Sequence, residues 1–156
     1  MNSVFTIELF EEHQNVSFYT ICFEEESSEF DKFLDKYPPG GAYDNDVNII
    51  ITWLDKIGES GALERYFRPE GRLKDDVCAI PIETSRLRLY VIRISDKIVV
   101  LGIGGRKKTK TYNEDSDLSL IVNQLQRIDR IIKHKMKSGL IQVKRKHLTG
   151  ELKFDI

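Results

Sequence analysis

Cysteine is nearly absent: the 156-residue chain has two, Cys22 and Cys78, each set among apolar neighbours. Two thiols so placed exclude a disulfide framework and read as buried, reduced side chains of a cytosolic protein. No C-x-x-C or H-x-x-x-H spacing occurs, so a zinc site is not expected, and no other metal or cofactor is expected either. Long hydrophobic runs are missing as well. NIIITWL and KIVVLGIGG stop well short of the roughly 18 residues that a membrane-spanning helix requires. The opening MNSVFTIELFEE lacks a basic segment, and Glu8 interrupts its apolar run, so no secretory signal is expected. Repeats and low-complexity linkers are also absent. What remains is the expectation of one domain over residues 1–156, able to bury about two-thirds of the surface its unfolded chain exposes without a metal or disulfide staple.

The net charge of −1 conceals a division. Residues 1–78 hold 17 acidic and 7 basic side chains, whereas residues 79–156 hold 8 and 17. Such a split marks either a nucleic-acid or acidic-partner face carried by the second half, or two halves that neutralise each other across the fold.

Periodicity supplies the elements. VFTIELF (4–10) and VSFYTICF (16–23) predict an antiparallel hairpin. Ser28 and Asp31 have capping-box spacing ahead of Phe30, Phe33, Leu34 and Tyr37, which predicts a short helix stopped by Pro38, Pro39, Gly40 and Gly41. Asp44 or Asn45 is placed to cap a second helix with a stripe at Val47, Ile50, Ile51, Leu54 and Ile57, ending at Gly58. Trp53 beside that stripe reads as core. VCAIPI predicts a strand with Pro81 at its end or edge. RLRLYVIRI (86–94) alternates, with Arg86, Arg88 and Tyr90 on one face and Leu87, Leu89 and Val91 on the other. KIVVLGI (97–103) is nearly all apolar and predicts a central strand. Asp115 or Ser116 begins a last helix, about 116–138, with a buried stripe from Leu118 to Met136 and Arg127, Arg130, His134 and Lys137 on another face. The tail predicts a hairpin turning at Thr149-Gly150. The order ββααβββα, with two further strands, is that of an α+β domain.

The stretch LGIGGRKKTKTY (101–112) bears most directly on function. A P-loop requires a glycine immediately before Lys-Ser or Lys-Thr, and none stands there; the third glycine of a dinucleotide fingerprint is replaced by Lys107. The glycines instead suit the end of a strand, where they permit a bulge or the close approach of another backbone. Arg106, Lys107, Lys108 and Lys110 would then line a sheet rim able to neutralise several phosphates. Arg86 and Arg88, on the neighbouring strand, join that patch, and Tyr90 and Tyr112 supply faces for base stacking. The structural alternative is a solvated loop.

This segment, RLRLYVIRISDKIVVLGIGGRKKTKTYNEDSDLSLIVNQL, resembles the sheet core of the RelE/ParE/HigB-type toxins of bacterial toxin–antitoxin systems. The likeness covers about residues 16–138. It implies a RelE-like fold: a small antiparallel sheet packed against two N-terminal helices and one long C-terminal helix, here with an extra N-terminal strand and a C-terminal tail. In the RelE and HigB branches it implies ribosome-dependent, metal-independent mRNA cleavage, in which the RNA 2′-hydroxyl attacks the adjacent phosphate. Carried over, Arg86 and Arg88 grip phosphate, Lys107, Lys108 and Lys110 share phosphate contact and proton transfer, and Tyr112 or Tyr90 stacks or donates. Arg106, Arg127 and Arg130 add RNA contacts. The implied partners are the ribosome, mRNA and an antitoxin of helix-turn-helix type, with no membrane. Two other readings stand beside it: a ParE-like topoisomerase inhibitor that performs no chemistry, and a non-catalytic binding module.

Overall fold

The computed structural model describes residues 4–69, 76–81, 85–106 and 116–155. In chain order its elements are β1 (Val4–Glu12), β2 (Ser17–Phe23), α1 (Glu29–Lys36), α2 (Asp44–Ser60), a 3-10 turn (Glu64–Tyr66), β3 (Arg68–Pro69), β4 (Val77–Ile80), β5 (Leu87–Arg93), β6 (Ile98–Arg106), α3 (Ser116–Lys137), β7 (Ile141–Lys144), β8 (His147–Gly150) and β9 (Lys153–Asp155). The α+β class stands. Seven strands form one sheet in the order β3-β4-β5-β6-β2-β1-β9, and β7 pairs with β8 apart from it. β6 is the central strand, as its composition predicts: Ile98, Val99, Val100 and Leu101 are fully buried.

The arrangement differs from the one the toxin resemblance implies. The sheet is mixed rather than small and antiparallel, because β2 runs parallel to β6 from Ser17 opposite Ile98 to Thr20 opposite Leu101. Two strands precede the helix pair, as the order ββααβββα predicts, so α1 and α2 are not the N-terminal elements that the resemblance implies. The tail is also more than an appendage: β9 returns to pair antiparallel with β1, Phe5 opposite Phe154. The cause of the difference is physical. An apolar run announces a strand buried on both faces but does not say which strand will lie beside it.

Each face of the sheet is covered. Against one lies α3, whose Leu118, Val122, Leu125, Ile128 and Ile132 meet Ile7, Ile21, Tyr90, Ile92, Ile98 and Val100. Against the other lie α1 and α2, whose Phe30, Phe33, Ile50, Leu54 and Ile57 meet Phe18, Leu87, Leu89, Val91, Val99 and Leu101. Fully burying such a side chain stabilises by about 1.5–3 kcal/mol before conformational entropy is set against it. The alternation of β5 is thus used twice, odd positions facing α1 and α2 and Tyr90 and Ile92 facing α3.

Local signals decided most helix limits. Ser28 caps α1, its hydroxyl accepting from the Asp31 amide at 3.1 Å. α2 departs from expectation at both ends. Its N-cap is Tyr43, with no side-chain cap, and the helix passes through Gly58 to stop at Gly61, where φ is +103°. The β7–β8 turn lies at Arg145 (φ 57°) rather than at Thr149-Gly150, both of which belong to β8.

Cys78 is buried, but Cys22 is only partly so. The Cys22 thiol donates to the Glu8 carboxylate at 3.1 Å. Burial, and then that carboxylate, push the thiol up to about 12. Since the thiolate is the reactive form, Cys22 is expected to alkylate at pH 8 at least about tenfold more slowly than free cysteine, despite its partial exposure. Iodoacetamide labelling followed by peptide mass spectrometry measures this; a rate equal to that of free cysteine would refute it.

Candidate functional site: the cleft at the end of β6

The glycines of β6 do what strand-end glycines can do. Between Leu89 and Val91 the β5–β6 register shifts, leaving an extra residue on β6. A Cβ on Gly104 would stand 1.7 Å from the Arg88 carbonyl oxygen, and one on Gly102 would stand 2.9 Å from that of Tyr90. Only a bare Cα lets the two backbones run this close. Beyond the glycines the strand ends at Arg106, opposite Leu87 and exposed.

At that end the sheet, α1 and α3 frame a cavity of about 240 Å³. β6 contributes Gly104, Gly105 and Arg106; the end of α1 contributes Lys36 and Tyr37; Tyr43 comes from the connection to α2; and Asp117, Leu118 and Ile121 come from the first turns of α3. The two tyrosine rings meet edge to face, their centroids 5.3 Å apart. A cation sits against each: the Lys36 ammonium lies 5.6 Å from the Tyr37 centroid, and the Arg86 guanidinium lies 4.6 Å from that of Tyr43.

Arg86 is held there by α2. Its Nε and Nη2 donate to Asp46 Oδ2 at 3.0 and 2.7 Å, and its amide donates to Asp46 Oδ1 at 2.8 Å. Nη2 also donates to the Ala42 carbonyl at 2.6 Å. Burial raises the Asp46 carboxyl, but the Arg86 side chain and amide and the Ser85 hydroxyl outweigh it, and the net position is below the ordinary aspartate range.

The residues proposed from sequence therefore separate. Arg106 lines the cleft, and Arg86 stands beside it with its guanidinium committed to Asp46. Arg88 is buried, at 4 % exposure, and Tyr90 is fully buried in the core beneath α3, with no ring face open to a base. Arg127 and Arg130 are exposed, but they belong to a shallow groove on α3 with Ile131, His134 and Lys135 that shares no residue with the cleft. Ten residues separate Asp117 from Arg127, about 15 Å along the helix. Lys107, Lys108, Lys110 and Tyr112 lie outside the described residues.

No family model matches the chain, and neither does any curated protein or solved structure. Nothing in those comparisons adds to what the side chains say. The cleft residues that sequence reasoning passed over are Lys36, Tyr37 and Tyr43. Their signal was available: two tyrosines and a lysine flank the Pro-Pro-Gly-Gly turn, which folds Tyr43 back onto Tyr37. Among the described residues, no helix is long and apolar enough to cross a membrane. No group of metal-ligating side chains converges in the cleft among the described residues; elsewhere, Glu11, His13 and Asp55 each bring a donor atom within 4.8 Å of the others.

Proposed function

We propose that the protein is a cytoplasmic RNA-binding protein that engages a phosphate–nucleoside unit in the β6 cleft, and that its activity is the ribosome-dependent mRNA cleavage of a RelE/HigB-like toxin, restrained by an antitoxin. The observation that carries the binding reading is the meeting of Arg106 and Lys36 with Tyr37 and Tyr43 in one cavity. Two cations offer charge to a phosphate, and the exposed part of Tyr43 offers an apolar edge to a base. The next residues in the chain after Arg106 are Lys107, Lys108 and Lys110, which bring further positive charge by sequence alone. In the chemistry this implies, the RNA 2′-hydroxyl gives its proton to a neutral lysine among Lys107, Lys108 and Lys110 and attacks the neighbouring phosphorus. The bond from phosphorus to the 5′-oxygen breaks as that oxygen takes a proton from a charged lysine, and a 2′,3′-cyclic phosphate is left. The cations stabilise the charge gathered on the phosphorane. Because the strand order is not that of the toxin arrangement, the proposal rests on the cleft and on the resemblance of the 86–125 segment, not on fold.

One observation favours a second, non-catalytic reading, in which the cleft binds RNA or an acidic partner without cutting. The two strand arginines assigned to grip phosphate are occupied otherwise, Arg86 on Asp46 and Arg88 in the interior. Translating ribosomes incubated with the protein, followed by mapping of mRNA 5′ ends, separate the two. Cleavage that falls by about 100-fold or more in Arg106→Glu supports the nuclease, this being the range for loss of one transition-state donor. RNA binding without cleavage supports the second reading. In either case Arg106→Glu and Lys36→Glu should each flatten the slope of log affinity against log salt by about one unit or more, since each removes a phosphate contact. An unchanged slope in both variants would sink the cleft as the RNA site. Inhibition of gyrase supercoiling would indicate the ParE-like activity instead.

A further inference from the structure

We propose that Glu11, His13 and Asp55 form a binding site for a divalent transition-metal ion, on a part of the molecule that shares no residue with the β6 cleft. The three arrive from different places: Glu11 from the end of β1, His13 from the turn into β2 and Asp55 from the exposed side of α2. One donor atom from each lies within 4.8 Å of the others. His13 Nε2 and Glu11 Oε1 are 2.8 Å apart. Donors bonded at about 2.0–2.2 Å to a tetrahedral ion stand about 3.3–3.6 Å from one another, so the present separations need only small side-chain movements to close on a metal.

Several features hold the imidazole in place. The His13 amide donates to the Val16 carbonyl at 2.8 Å, and the His13 carbonyl accepts from Lys146 Nζ at 2.7 Å. Its ring stands edge-on to Phe18, with centroids 5.2 Å apart, and lies against the bare Cα of Gly58, where a Cβ would come within 2.4 Å of the ring. Gly58 is therefore a glycine of the last turn of α2 with a steric task. It lets α2 pass close enough for Asp55, one turn earlier, to reach the same point.

The charge balance points the same way. Two carboxylates converge with one imidazole, and the nearest lysines are directed elsewhere. Lys56 lies over the rings of Trp53 and Tyr66, and Lys146 binds Glu12 and the carbonyls of His13 and Gln14. Among the described residues the Asp55 carboxylate makes no side-chain hydrogen bond or ion pair. A dication neutralises this group, and one nitrogen with two carboxylate oxygens is a donor set that zinc and its first-row neighbours accept, whereas magnesium prefers oxygen alone. Three protein donors leave a tetrahedral ion one position for water or a ligand. The cluster stands at the edge of a cavity of about 120 Å³ whose other walls are largely apolar, including Phe10, Phe18, Phe30 and Leu54.

Zinc chloride titrated into the chelator-stripped full chain by calorimetry, with metal counted by mass spectrometry after dialysis, tests the site. One zinc per chain is expected. His13→Ala should abolish this binding, and Asp55→Asn and Glu11→Gln should each weaken it by about tenfold or more, as losses of even outer-shell metal partners do. Asp55 is an exposed helix position, so Asp55→Asn keeps the comparison valid if His13→Ala folds poorly. His147→Ala, which removes the other histidine–carboxylate pair on this side (His147 to Glu12, 3.3 Å), should change nothing. Millimolar magnesium should fail to displace the zinc. No bound zinc, binding unaffected by Asp55→Asn and Glu11→Gln, loss caused by His147→Ala, or ready displacement by magnesium would each overturn the proposal.

Discussion

Gly104→Ala is expected to destabilise the protein by about 3 kcal/mol or more, at the upper end of what overpacking costs. The added methyl carbon would fall 1.7 Å from the Arg88 carbonyl oxygen and 2.7 Å from its carbon. Both obstacles are backbone, so no rotamer change relieves them, and the two central strands must part. Their separation breaks ladder hydrogen bonds in the most buried part of the sheet and pulls Arg106 out of register with Leu87. Gly105→Ala supplies the contrast. Its new methyl would meet the end of the flexible Leu118 side chain at 3.3 Å, and alanine in a strand gains about 0.5–1 kcal/mol over glycine through the unfolded chain. A shift near zero is expected there. Urea denaturation followed by circular dichroism compares the two, and equal midpoints would show that the β5–β6 approach is looser than the register requires.

Removal of the Asp46 carboxylate is the second large effect. Asp46→Ala takes the acceptor from the buried Ser85 hydroxyl (3.2 Å) and from the Arg86 amide (2.8 Å). Donors left without a partner cost about 1–3 kcal/mol each, and the Arg86 amide is only part-buried, so a loss of about 2–4 kcal/mol, in the lower part of the range for two, is expected. The Arg86 guanidinium, with its side chain 59 % exposed, returns to water and adds little to that loss. It also leaves its place over Tyr43. The effect has a pH signature. A carboxyl held below its ordinary value in the folded state contributes stability that is complete above the unfolded-state value of about 3.9 and disappears as pH falls through the lower, folded-state value. The wild-type unfolding midpoint should therefore drop between pH 5 and the acid limit by more than that of Asp46→Asn. Parallel curves would mean that Asp46 contributes nothing through its charge.

Much of the scaffold was legible because it obeys local periodicity. The apolar run 98–101 placed the central strand, the 118–132 stripe placed α3 and its buried face, and the Ser28–Asp31 spacing placed the start of α1. The glycines of LGIGG were legible as steric devices, which is how β6 uses them. What periodicity could not carry was pairing across the fold. Arg86 and Asp46 are 40 residues apart in the chain, and nothing in either segment announces their ion pair. Without it, Arg86 reads as a free phosphate ligand. The shared face expected for Arg86, Arg88 and Tyr90 does not hold for Arg86, which precedes β5 and turns to α2, and the alternation did not say that Tyr90 lies under α3. His13 was not singled out, because the glycine that shapes its setting belongs to a distant helix and looked like a helix stop. After α3 a hairpin was legible, but not its turn, the third strand β9 or the edge that β9 joins.

The parallel pairing of β2 with β6 also sets a timetable for synthesis. Thr20 bonds the Leu101 carbonyl, 81 positions later. At about 5–20 residues per second, a nascent chain holds β2 for roughly 4–16 s before its central neighbour has been made. In that interval β1 and α1 are the partners already synthesised, and one edge of β2, carrying Phe18, Tyr19 and Ile21, awaits a strand. A newly made N-terminal segment in this state is a natural client for a chaperone that holds extended apolar chain, and the dense run of glutamates around it, Glu8, Glu11, Glu12 and Glu24 to Glu26, places like charge where two such edges would otherwise meet.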